Sequence, residues 1–120
     1  MSNFDTVRRG FAAVEANDVD TYVSLFTDDA VYQTANFPPA IGPDGIRQAA
    51  APVMERFSRV THDIKEMWEP ERDVVIAEVV LTYTRKDGKV IKLPCLDVIK
   101  LDGGKIKSLQ AFLDLSPAFA

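Results

Sequence analysis

Three side chains in this 120-residue chain are best suited to moving protons: its only histidine, His62, and two carboxylates in apolar surroundings, Asp97 and Asp114. Asp97 stands in Leu93-Pro94-Cys95-Leu96-Asp97-Val98-Ile99, the middle of an expected strand. Burial there disfavours the charged form and raises the carboxyl pKa. Such a group serves as a general acid, or donates a hydrogen bond to an oxyanion while protonated. His62 is in phase with Ile64 and Trp68 where a strand leaves a helix, which places it at a cavity rim. Imidazole titrates nearest neutrality and suits proton transfer. Asp114 follows the last strand in Phe112-Leu113-Asp114-Leu115-Ser116-Pro117. It either caps the turn or stands as a second carboxylate at the cavity mouth, where unlike environments divide acid from base. Plainer alternatives exist for the other two: Asp97 facing a lysine or solvent, His62 as a satisfied half-buried ring.

The ring-bearing residues that would enclose a substrate are Tyr32, Phe37, Phe57, Trp68, Tyr83 and Phe112, whereas Tyr22 falls on a core stripe. Cys95 shares a face with Asp97 and has no basic neighbour to lower its pKa, so it reads as an apolar filler. One cysteine makes no internal disulfide and points to a reducing cytoplasm. No Cys/His cluster has metal spacing and no glycine-rich phosphate loop occurs, so no metal or cofactor is expected. Fourteen basic against eighteen acidic side chains, a net charge of −4, argue against a nucleic-acid surface. No apolar run approaches the ~20 residues of a membrane span, and no secretory leader is visible at Met1 to Asp5.

These residues need a frame. Phe4, Val7, Phe11 and Val14 recur at helical spacing, as do Val19, Tyr22, Val23 and Phe26 after a break at Asn17-Asp18. A short strand follows at 30–33, then a loop from Thr34 to Gly45 with three prolines. A third helix is expected over 44–57, kinked or restarted at Pro52. Alternation then takes over, with Val60, His62, Ile64, Glu66 and Trp68 on one face. Strands over 74–84, 90–101 and 106–113 complete an antiparallel meander, turning at Asp87-Gly88 and Asp102-Gly103-Gly104. Residues 1–120 therefore read as one α+β domain: three helices, one short early strand and a four-strand meander. Leu96 and Val98 make the second face of the sheet apolar as well, which suits a homodimer.

Three stretches together resemble the nuclear transport factor 2-like superfamily, and within it the SnoaL-like polyketide cyclase and ketosteroid isomerase-like branch. They are Asn17 to Val31, Gly42-Pro43-Asp44-Gly45-Ile46, and Leu96-Asp97-Val98-Ile99-Lys100-Leu101-Asp102-Gly103-Gly104 running on to Phe112-Leu113-Asp114. The resemblance implies a cone of curved antiparallel sheet closed by helices around a deep apolar pocket. Asp97 matches the buried protonated aspartate of ketosteroid isomerases, whereas their base falls near Thr34 and their oxyanion tyrosine near Gly10. Asp114 matches an aspartate of limonene-epoxide hydrolases, whose Arg-x-Asp positions read Val80-Leu81-Thr82 here. For SnoaL-like cyclases an acid with a nearby histidine suffices, which Asp97, Asp114 and His62 would supply. The implied activity is cofactor-independent acid/base catalysis (cyclase, isomerase or dehydratase) on a small apolar carbonyl- or polyketide-like molecule. The alternative is a non-catalytic binding or dimeric scaffold domain of the same fold.

Overall fold

Apolar residues spaced three and four apart form helices where capping residues start them. The computed structural model describes residues 2–120. In α1 (Asn3–Glu15) the Ser2 hydroxyl accepts from the Asp5 backbone N–H while the Asp5 carboxylate accepts from that of Ser2. This reciprocal cap satisfies donors that a helix start otherwise leaves open. The helix buries Val7 and Phe11 and partly covers Phe4 and Val14. Asp18 caps α2 (Val19–Ser24) through the Thr21 N–H. α3 (Gly42–Arg56) opens on Gly42 at φ +72°, where a Cβ would stand 3.0 Å from the Asp28 carbonyl oxygen. Only glycine is at ease in that combination. The helix buries Ile46, Ala50 and Met54 and runs unbroken through Pro52, ending one residue short of Phe57. A fourth helix beyond the expected three, α4 (Ser116–Phe119), closes the chain.

The helices pack on one six-stranded curved sheet: β1 (Phe26–Thr34), β2 (Ala40–Ile41), β3 (Phe57–Glu71), β4 (Val74–Arg85), β5 (Val90–Asp102) and β6 (Lys105–Phe112). The spatial order is β2-β1-β6-β5-β4-β3. From β3 to β6 it is the expected antiparallel meander. β1 departs from expectation twice. It is a nine-residue strand rather than a short one, and it pairs parallel with β6, so the sheet is mixed. Its register shifts between Phe26 and Val31, which accommodates the polar Thr27-Asp28-Asp29 that reads as a helix stop in the sequence. The proline-rich loop contributes the two-residue β2, paired antiparallel to β1.

Alternation divides the sheet cleanly. Val75, Ala77, Val79, Leu81 and Tyr83 of β4 are buried, and β5 continues the same face through Leu93, Cys95, Asp97, Ile99 and Leu101. The core lies between this concave face and the helices. Among the described residues, no helix is long and apolar enough to cross a membrane. No group of His, Cys, Asp or Glu among them is arranged to hold a metal ion.

Candidate active site

Inside the cone, between the sheet and α1–α3, lies a cavity of about 460 Å³. That volume falls in the range that holds small organic ligands. Its mouth is formed by exposed residues of α3, Gln48 and Ala49 among them, and by Phe37 and Pro38 of the loop between β1 and β2. Pro52, also on the wall, has no N–H to offer the Gln48 carbonyl four residues back.

Asp97 projects into this cavity from the middle of β5 and is only 5% exposed. Both of its cross-strand neighbours are alanines, Ala77 on β4 and Ala111 on β6. Their small side chains leave room around the carboxyl and offer it no polar partner. Its hydrogen bond comes from the Cys95 thiol, at 3.4 Å. Burial pushes the Asp97 carboxyl up to about 6, and the weak thiol contact offsets this little. The thiol itself is pushed far up by burial and by the adjacent carboxyl, as expected of a filler rather than a nucleophile.

Three phenols share the same space. Tyr22 of α2, Tyr32 of β1 and Tyr83 of β4 all line the cavity. Tyr22 and Tyr32 meet edge to face, with ring centroids 6.2 Å apart, and their hydroxyls interact. Thr34 reaches the Tyr32 hydroxyl from two residues along the strand. Burial raises all three phenol pKa values, so each hydroxyl keeps its proton as a donor.

His62 enters from β3, at the other end of the wall. Its ring stacks on Phe11 of α1, with centroids 4.4 Å apart and planes 18° from parallel. Nδ1 lies 3.0 Å from Oε2 of Glu15, and the same oxygen accepts the His62 backbone N–H at 2.7 Å. Burial lowers the imidazole pKa below 6.5, and the Glu15 carboxylate opposes this only in part. The ring is therefore neutral at pH 7.

The structure brings Asp97, His62, Tyr32, Tyr83 and Phe37 to one cavity and leaves four expected residues outside it. Asp114 is exposed, and its carboxylate accepts the Ser116 N–H at 3.0 Å, which lowers its pKa. It is the turn cap, and no Asp97–Asp114 pair forms. Trp68 lies on the outer face because β3 bulges between Ile64 and Glu66. Before the bulge His62 pairs with Leu81 and faces inward; beyond it Met67 takes the inward place, and Trp68, 39% exposed, turns out beside Ile76. One extra residue moves every later side chain to the other face. Phe112 is outward too, opposite Leu96 on β5. Phe57 packs behind the wall, between Tyr83 and Phe119.

Two residues acquire importance that the sequence reading did not give them. Glu15 reads as a helix charge and Tyr22 as core. Each carried a signal: Glu15 is an acid in the last turn of a helix, and Tyr22 a hydroxyl on an apolar stripe. Gly10 and Thr34, near which the resemblance puts the isomerase tyrosine and base, line the cavity without supplying a phenol or an acid.

Known proteins share this fold. A 28% identical, uncharacterised cystatin-fold protein from Novosphingobium aromaticivorans superposes with a TM-score of 0.80, over 93% of this chain and 98% of that one. A protein from Jannaschia sp. CCS1 described as a SnoaL-like polyketide cyclase gives 0.83 at 19% identity, over 98% and 88%. A protein from Catenulispora acidiphila with a ketosteroid isomerase-like fold gives 0.84 at 22%, over 92% and 86%. The model of the SnoaL-like domain matches residues 7–109. With the cone, the enclosed pocket and that match together, the chain belongs to the SnoaL-like domain family of the nuclear transport factor 2-like superfamily.

Proposed function

We propose that the protein is a cofactor-independent acid/base enzyme acting on a small, uncharged, enolisable carbonyl compound of polyketide type. The observation that carries this reading is Asp97: a buried carboxyl with a pKa near 6, facing a largely apolar cavity beside phenol donors. In the proposed reaction the unprotonated nitrogen of His62 takes a proton from the carbon next to the substrate carbonyl. Below about pH 6, where Asp97 is protonated, the developing enolate oxygen receives its proton or its hydrogen bond, and a tyrosine hydroxyl is the second donor. The enol carbon then attacks another carbonyl of the same molecule, or is reprotonated at a new position. The enol O–H proton returns to Asp97 as the carbonyl re-forms, and the proton held by His62 passes to the new alkoxide or to the reprotonated carbon, so nothing is consumed. Proton transfer of this kind needs only a positioned acid and base.

Charge defines the substrate class. Among the described residues, neither lysine nor arginine lines the cavity. A carboxylate ligand would be buried without a counter-ion, which is costly. An ester is therefore expected to bind at least about tenfold tighter than the matching free acid. Calorimetric titration with a β-keto aryl methyl ester and its acid measures this directly. The reaction is tested by ¹H NMR in D₂O: the protein is expected to speed loss of the ester's α-proton signal, and His62→Gln to abolish that. Binding of the ester without exchange would sink the catalytic reading and leave a binding protein.

We also propose a homodimer formed through the outer sheet face, where Trp68, Ile76, Leu96, Val98 and Phe112 make a contiguous apolar patch across β3 to β6. The free Cys95 thiol supports a reducing compartment, the cytoplasm.

A further inference from the structure

We infer that Glu15 is a positioning residue: it fixes His62 in the Nδ1–H tautomer and thereby makes Nε2 the basic nitrogen available to the cavity. This rests on the acid/base reading above. Glu15 Oε2 accepts two hydrogen bonds from the same residue, from the backbone N–H at 2.7 Å and from Nδ1 at 3.0 Å. A carboxylate has no hydrogen to donate, so the ring hydrogen must sit on Nδ1. A neutral imidazole has only one N–H, which leaves the lone pair on Nε2. Because the backbone and the ring share an acceptor, the ring's rotation about its own chain is set as well.

α1 supplies the rest of the cradle. Phe11, one turn before Glu15, lies flat against the ring at 4.4 Å, so a single helix holds the imidazole by its face and by its edge. Nothing in the helix itself calls for an acid there. Glu15 is the last residue of α1, at the negative end of the helix dipole, and that turn has no basic side chain. The position is unfavourable for a carboxylate as far as the helix is concerned, and the partner that accounts for it is 47 residues away on β3. The His62 side chain is 7% exposed, whereas Glu15 remains 37% exposed. The ring is desolvated, while the carboxylate that orients it keeps part of its hydration.

The charge balance follows from the same geometry. Asp97 and the phenols of Tyr22, Tyr32 and Tyr83 line the cavity with His62. The two influences on the imidazole's proton affinity are burial, which lowers it, and Glu15, which raises it. Glu15 thus keeps Nε2 more basic than a buried imidazole would otherwise be, while burial keeps the ring neutral.

Because the chain has one histidine, long-range ¹H–¹⁵N spectra of the uniformly labelled protein report on this ring without assignment. At pH 7.5 the wild type is expected to show a protonated Nδ1 and an unprotonated Nε2, the reverse of the form imidazole favours in water. Glu15→Ala is expected to return the ring to the Nε2–H form. Glu15→Gln retains an acceptor oxygen without the charge, so it is expected to keep the tautomer while lowering the His62 pKa below the wild-type value. If Nε2 carries the hydrogen in the wild type, or Glu15→Ala leaves the tautomer unchanged, the assignment is wrong. The spectra need no substrate, so they separate this inference from the function itself. Where α-proton exchange is catalysed, Glu15→Ala is expected to lower kcat at least ~10²-fold with KM little changed, since a wrong histidine tautomer costs a Ser-His-Asp triad its turnover.

Discussion

Replacing Asp97 by asparagine is expected to stabilise the protein above pH 6 and to remove its catalysis, two effects in opposite directions from one atom exchange. The carboxyl titrates at about 6 in the fold, against 3.8 when unperturbed. A group whose pKa is raised on folding contributes stability that is complete below its unfolded value and lost as pH rises through its folded value. For Asp97 the loss therefore runs from about pH 4 to about pH 6, and its full size is about 3 kcal/mol. Asparagine has nearly the shape of the protonated acid and never ionises. The stability difference between Asp97→Asn and wild type is expected to grow by about 3 kcal/mol in favour of the variant from pH 3 to pH 8. Urea unfolding at a series of pH values measures it, and parallel curves for the two proteins would refute the buried-acid assignment. The carboxamide still donates a hydrogen bond but surrenders no proton, so turnover is expected to fall ~10²–10⁴-fold. Full activity in the variant would leave Asp97 with no part in proton transfer.

The second large effect concerns assembly. Leu96 and Phe112 are cross-strand neighbours on the outer face, 39% and 51% exposed. In a two-fold dimer each substitution occurs twice in one interface, so Leu96→Glu with Phe112→Glu brings four like charges into an apolar contact. The wild type is expected to sediment as a dimer at micromolar concentration, and the double variant as a monomer. Removing two central apolar anchors per subunit is expected to weaken association by at least ~10³-fold. Unchanged circular dichroism would show that the sheet persists, since neither side chain contributes to the core. A monomeric wild type, or a variant that remains dimeric, would rule this face out as the interface.

The fold was largely legible because its signals are local. Val7 and Phe11 mark their helix by spacing, Val75 to Tyr83 mark a strand by alternation, and Ser2 and Asp18 are ordinary caps. Asp97 was legible for the same reason: a carboxylate amid inward-facing apolar residues must be desolvated. What escaped the sequence was non-local or depended on a single residue of register. The bulge after Ile64 leaves no mark in composition, yet it moves Trp68 from the cavity to the outer face. Asp114 lies within reach of a backbone N–H two residues on, and that local bond took precedence over any role in the cavity. Glu15 and His62 are joined only by the way α1 crosses β3, which no periodicity encodes. The parallel partner of β1 was hidden in the same way, since pairing across most of the chain has no local signature.

That parallel pairing also orders events in time. Strands β3 to β6 join through tight turns and can zip locally, whereas β1 finds β6 only by closing a loop of about 80 residues. Contacts of such separation form late in folding. The cavity draws its wall from Val7 at one end of the chain to Leu115 at the other, so it exists only once this seam has closed. A ligand in the cavity consequently has nothing to bind while the meander assembles and cannot hasten that assembly. Its effect falls on the return path: it delays the parting of β1 from β6 and lengthens the lifetime of the folded chain.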